Sequence, residues 1–250
     1  MRSFSNYIQE SVNTKTYDIN VPKGMSLFEY IKRLWETSGE GTREERRFVE
    51  GLYSSYEYGG VGSWIDIGAF KTLLELKPKY RELQPDYPYI YRGLRTRRIS
   101  ELLRLRWKPL DKDFLITKQT YKSKYGISSW SWDSNVAWGF THTDELFNGE
   151  APSGRNSDRL IGVKDYEVTN YIEDNLSDIE GGSGYMALVA RVKTPPFALF
   201  NRLMSARMSK LFKHGGEMES VLVDEQRPIT VDWIVPRKFW EGVMEVRGDF

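Results

Sequence analysis

The stretch His214-Gly215-Gly216-Glu217-Met218-Glu219-Ser220-Val221-Leu222-Val223 carries two glutamates at the head of a run that reads as a β-strand. Successive strand side chains point to opposite faces, so Glu217 and Glu219 share one face with Val221 and Val223. Met218, Ser220 and Leu222 take the other. The glycine pair ahead lets the chain turn sharply into the strand. Two carboxylates side by side repel each other unless they are solvated or have a task. An acidic strand end in water is the ordinary reading of a lone Glu-x-Glu, and what lies upstream decides whether this one is more.

The chain has 250 residues, long enough to bury a substantial core. Hydrophobic residues make up 40% and charged residues 28%, as in globular proteins generally. Net charge is +1, so no global field draws the chain to nucleic acid or an anionic membrane. With no cysteine, disulfides, thiolate metal sites and a cysteine nucleophile are excluded. The 2 histidines, His142 and His214, leave no material for a His-rich metal site. No apolar run approaches the roughly 18 residues of a membrane span, so no membrane contact is expected. Aromatics reach 14%, which suits stacking surfaces and aromatic cores alike.

Residues 1–21 are polar and read as a tail. Ser26-x-x-Glu29 and Thr42-x-x-Glu45 are capping boxes that open two helices, and Ser63-x-x-Asp66 caps a third running to about Leu76. Residues 22–84 therefore form a helical layer. Tyr89-Ile90-Tyr91-Arg92-Gly93-Leu94 then reads as a strand with an arginine inside it, and residues 99–107 as a helix. Residues 92–108 hold basic side chains at 92, 95, 97, 98, 104, 106 and 108 against the single acid Glu101. Such a face is either simply solvated or a contact surface for phosphates or an acidic partner. Ile127-Ser128-Ser129-Trp130-Ser131 is a second short strand, with a helix starting after Asp133. Residues 141–184 are acidic and loop-like. Strands follow at residues 185–192, 217–223, 229–235 and 243–246, while 197–213 is ambiguous between helix and loop. Helices first and strands later make an α+β protein.

Arg92 on one strand, Ser129-x-Ser131 on a second and Glu217-x-Glu219 on a third stand in this order along the chain. The order resembles the Arg–Ser–Glu class of mono-ADP-ribosyltransferases, related to cholera toxin and the clostridial binary toxins. An aromatic residue precedes the strand arginine in that family, as Tyr91 does here. Its Ser-Thr-Ser strand is followed by five residues, an alanine, two residues and a phenylalanine, matched by Ala137 and Phe140. Trp130 stands where the family usually has threonine. The resemblance covers residues 85–250 and implies a single ADP-ribosyltransferase domain over 22–250. The implied fold has two packed, mainly antiparallel sheets forming an NAD cleft, with the helical layer in front.

The resemblance also implies roles. NAD is the substrate and no metal is needed. Arg92 and Gly93 bind NAD, with the Arg92 guanidinium fork on its diphosphate. Ser129 and Ser131 line the nucleotide, and Ser129 orients Glu219. The Glu219 carboxylate holds the ribose and stabilises its developing positive charge. Glu217 orients an acceptor arginine and takes its proton. The segment 205–216 faces the acceptor.

The N-terminus Met1-x-Ser3-Phe4-x-x-Tyr7-Ile8-x-Glu10 resembles the short leaders of tailed-bacteriophage head proteins, with Ile8-Gln9-Glu10 fitting a prohead-protease site. That likeness implies a phage enzyme carried in the phage head and injected into the host cytoplasm. Its acceptors would then be host proteins such as RNA polymerase or translation proteins. Two alternatives stay open. One is a non-catalytic module binding nucleic acid or an acidic protein through residues 92–108. The other is the same active site acting on nucleic acid or water.

Overall fold

The computed structural model describes residues 14–37, 41–57, 66–96, 108–110, 113–123, 125–139, 186–212 and 219–236. Helices α1 (Leu27–Glu36), α2 (Arg43–Glu57) and α3 (Ile67–Leu76) come first, then a 3-10 turn at Arg81–Leu83. Strands β1 (Tyr89–Thr96), β2 (Lys108–Leu110), β3 (Asp113–Tyr121) and β4 (Ser128–Ser131) follow, with helix α4 (Ser134–Gly139) after them. The last elements are β5 (Met186–Lys193), β6 (Ala198–Leu199), α5 (Arg202–Leu211), β7 (Glu219–Leu222) and β8 (Ile229–Pro236). Every strand pair with a defined register is antiparallel, so the chain is α+β with antiparallel sheet.

The chain divides into two compact units. The first is Met1–Pro88, Lys122–Trp130 and Thr194–Pro228; the second is Tyr89–Tyr121, Ser131–Lys193 and Ile229–Phe250. The helical segment thus belongs to a unit that also takes in β6, β7 and all of β4 but Ser131.

In the first unit both capping boxes form. Ser26 Oγ accepts from Glu29 N at 3.2 Å, and Glu29 Oε2 accepts from Ser26 N at 3.1 Å. Thr42 Oγ1 accepts from Glu45 N at 3.2 Å, and Glu45 Oε2 from Thr42 N at 2.7 Å. Each satisfies two backbone donors that a helix start leaves orphaned. The third cap is corrected: α3 starts at Ile67 and its N-cap is Asp66, not Ser63. Asp66 Oδ1 accepts from Ala69 N at 3.0 Å, and its other oxygen accepts from Tyr17 Oη at 2.5 Å. That carboxyl lies so close to α2 that a Cβ on Gly51 would meet Oδ2 at 2.6 Å, which is why a glycine stands there.

The buried stripes of the three helices close one core. Leu27, Tyr30, Ile31, Phe48, Leu52, Phe70 and Leu73 meet Met204 and Met208 of α5, Leu199 of β6 and Val221 of β7. Each fully buried Leu or Phe side chain stabilises by about 1.5–3 kcal/mol. The ambiguity over residues 197–213 resolves into β6 and α5, joined through Phe200, whose φ of 75° turns the chain from strand to helix. Asn201 caps α5 by accepting from Met204 N at 2.8 Å. β6 pairs with β7 at Ala198↔Leu222 and Leu199↔Val221. On its other side, Ala198 N donates to Pro195 O at 3.0 Å, and Lys77 Nζ donates to Ala198 O and Pro196 O, both at 2.6 Å.

In the second unit the strand order is β2-β3-β8-β5-β1. The register places Arg92 opposite Ala190, and Ala190 opposite Trp233. β3 lies where the sequence showed no element. Its pairing with β8 shifts between Ile116 and Gln119, a bulge where Lys118 takes a φ of 62°. A small core of Ala137 from α4, Val189 and Ile234 forms against this sheet, with Tyr91 and Leu115 packed on it. Arg191 pairs with Asp232 at 3.0 Å and lies 5.0 Å over the Tyr89 ring. The expected helix at 99–107, the acidic stretch 141–184, the strand at 243–246 and the N-terminal leader lie outside the described residues.

Candidate active site

β4 alternates its side chains. Ser128, Trp130 and Ser131 are buried, while Ser129 is exposed. Trp130 is only 2% exposed, and its indole N–H donates to Ser128 Oγ at 2.8 Å. Trp130 thus fills the buried side of the strand, while Ser129 faces outward. Ser129 Oγ donates to Glu219 Oε1 at 2.5 Å, a charge-assisted bond across 90 positions of sequence. Glu219, 9% exposed, is the first residue of β7. All four residues of that strand are buried, so its alternation of core and outer faces is not visible in exposure.

Serines surround the Glu219 main chain. Ser205 Oγ, wholly buried on α5, accepts from Glu219 N at 3.0 Å. Ser220 Oγ, also wholly buried, donates to Leu199 O at 3.2 Å. Beside them Tyr87 Oη donates to Phe200 O at 2.8 Å. Burial pushes the Tyr87 phenol far above its ordinary range; the Ser220 hydroxyl opposes that shift, and the Asp86 and Glu219 charges add to it. Tyr87 therefore stays a neutral donor. Ser205, Ser220 and Tyr87 were not singled out in the sequence. The visible signal was two serines, 205 and 209, on the apolar side of a helix.

Compared with known proteins, the chain matches no family model, no curated protein and no solved structure.

Arg92 is on β1 of the second unit, half-buried, with its guanidinium 5.9 Å from the Tyr121 ring centroid. Gly93 follows it and pairs with Val189. Ser131 pairs with Tyr91, and its Oγ accepts from Asp133 N at 3.0 Å ahead of α4. Ser131 is 5% exposed, and its hydroxyl supports the turn into the helix. Glu217 lies outside the described residues, as do His214 and residues 97–107 of the basic stretch 92–108. Among the described residues no group of three or more His, Cys, Asp or Glu is placed to hold a metal, and no helix is long and apolar enough to cross a membrane.

Chemically, the Ser129–Glu219 pair is a nearly covered carboxylate held in one orientation by an exposed serine. It can accept hydrogen bonds from a polyol and stabilise a developing positive charge beside it. A fixed acceptor needs no reorganisation at the moment the charge appears.

Proposed function

We propose that the chain is an arginine-directed mono-ADP-ribosyltransferase that takes ADP-ribose from NAD and releases nicotinamide. The observation that carries the reading is the 2.5 Å bond from Ser129 Oγ to Glu219 Oε1. Two residues 90 positions apart, each picked out by its motif, meet in the pairing that the resemblance requires of a serine and a glutamate. The α+β class with antiparallel pairing supports the reading at the level of class alone.

In this mechanism Glu219 accepts a hydrogen bond from the ribose hydroxyl and faces the anomeric carbon. Its charge offsets the positive charge that grows there as the bond to nicotinamide breaks. Ser129 keeps the carboxylate in one rotamer, so that the stabilisation is preorganised. Arg92 supplies a planar fork of donors for the diphosphate. Glu217 receives the proton of the acceptor guanidinium, whose pKa of about 12 or more makes it a poor nucleophile unaided. The electron pair of the broken C–N bond leaves with nicotinamide, and the acceptor nitrogen forms the new bond. The acceptors are proteins, and the search for them starts with host RNA polymerase and translation proteins.

The test is mass spectrometry of a bacterial lysate incubated with the protein and NAD, beside a Glu219→Ala control. ADP-ribose on arginine side chains in the wild-type sample alone is the expected result. No nicotinamide release and no adduct from the wild type would end the reading. Adducts on nucleic acid instead would redirect it.

A further inference from the structure

A second anchor holds Glu219, and it acts on the main chain rather than the carboxylate. In the β6–β7 ladder, Leu199 faces Val221, and Val223 N donates to Phe197 O at 3.1 Å. Backbone donors alternate sides along a strand, so the N–H groups of residues 219, 221 and 223 all point toward β6. Continuing the register would set the Glu219 N–H against Asn201 O. That carbonyl is turned into α5, where it accepts from Ser205 N at 3.0 Å in the first turn. Phe200, with its φ of 75°, has turned the chain out of the strand by this point. The Glu219 donor would be orphaned where water has little access. Ser205 Oγ takes it instead, at 3.0 Å, from a side chain that is 0% exposed.

We infer that Ser205 is a positioning residue for the proposed reaction, fixing the main chain of Glu219 so that its carboxylate meets Ser129. The inference rests on the proposed function for its catalytic consequence. α5 is itself tied down at its start. Phe200 N donates to Leu83 O at 3.2 Å, Asn201 N to Glu82 O at 3.0 Å, and Tyr87 Oη to Phe200 O at 2.8 Å. Ser205 thus transmits the position of a capped helix, packed on the core through Met204 and Met208, to the first residue of β7. The Ser205–Glu219 bond spans 14 positions, which include the connection that carries Glu217. Glu219 is therefore held by a bond that does not depend on the residues between α5 and β7.

The experiment pairs kinetics with amide exchange on Ser205→Ala. The expected loss is in kcat for nicotinamide release, by about 10- to 100-fold, because a small displacement of a catalytic group costs that much. KM for NAD stays within about threefold, since Ser205 touches no substrate. The Glu219 amide exchanges at least about tenfold faster, while the Leu222 amide keeps its protection. Ser205→Thr, which keeps the oxygen, recovers most of the lost kcat. Should the alanine variant not fold, Ser205→Cys, of similar size and with a weaker acceptor, shows the same direction. Wild-type kcat in the alanine or cysteine variant, a loss confined to KM, or unchanged exchange at Glu219 overturns the inference. If the wild type releases no nicotinamide, the proposed function fails, and the exchange at Glu219 alone decides whether Ser205 holds that main chain.

Discussion

Ser129 Oγ and Glu219 Oε1 lie 2.5 Å apart, with Ser129 exposed and Glu219 nearly covered. A hydrogen bond to a charged group contributes about 1.5–3 kcal/mol when sheltered, and less where water can replace the donor. Ser129→Ala should therefore lower kcat for nicotinamide release by about tenfold and leave the melting temperature almost unchanged. Glu219→Gln, which removes the charge and keeps the shape, should lower it by at least about a hundredfold. Steady-state release of nicotinamide, followed chromatographically, checks both. Equal losses in the two variants would contradict the division of labour between orienting hydroxyl and reacting carboxylate.

Glu217 and Glu219 should separate transfer from hydrolysis. Glu217→Gln is expected to lose ADP-ribosylation of arginine by at least about tenfold while NAD hydrolysis continues, because only transfer needs a base for the guanidinium. Glu219→Gln loses both. Parallel assays with an arginine-containing peptide and with NAD alone make the comparison. Equal loss of both activities in Glu217→Gln would remove the assigned role.

Tyr30 is almost wholly buried and its phenol donates to the Glu45 carboxylate. Burial works to raise the Glu45 carboxyl, but bonds from Tyr30 and from Thr42 outweigh it and hold the group below its ordinary 4.5. A depressed carboxyl contributes stability that is complete above pH 4.5 and fades as pH falls through the lowered folded value. Tyr30→Phe should thus cost about 1 kcal/mol at pH 7 and clearly less near pH 3. Urea unfolding at the two pH values measures the difference. An equal cost at both would show that the lost hydroxyl acts through packing.

Lys118 sits at φ 62° in the bulge of β3, exposed to solvent. A left-handed residue other than glycine costs about 1–2 kcal/mol, and the added freedom of glycine in the unfolded chain offsets part of any relief. Lys118→Gly should be stabilising by up to about 1 kcal/mol, and Lys118→Val destabilising by more than that. Chemical denaturation of the pair is decisive, since their order reverses if the bulge is absent in solution.

The same bulge explains what the sequence concealed. Phe114-Leu115-Ile116-Thr117-Lys118-Gln119-Thr120-Tyr121 has strand-forming residues, but the extra residue breaks the alternation midway. No single period-two pattern then runs through β3. α5 was ambiguous for a different reason: Ser205 and Ser209 share its buried side with Met204 and Met208, so its apolar stripe is thin. By contrast, Ser26–Glu29 and Thr42–Glu45 were legible because a capping box is local and its two partners lie three residues apart. Ser129 and Glu219 could be singled out from their motifs, whereas Ser205 could not. Its partner is a backbone N–H left over by the ladder geometry, which no side-chain pattern records.

Lys77 has a consequence beyond its own two hydrogen bonds. β6 is the last strand of its sheet, and Ala198 is the residue whose backbone N–H and C=O face away from β7. Pro195 and Lys77 occupy both groups from within the same chain. A sheet border sealed in this way has no row of open valences with which a foreign strand could align, so self-association by edge-to-edge β-addition is blocked at this border.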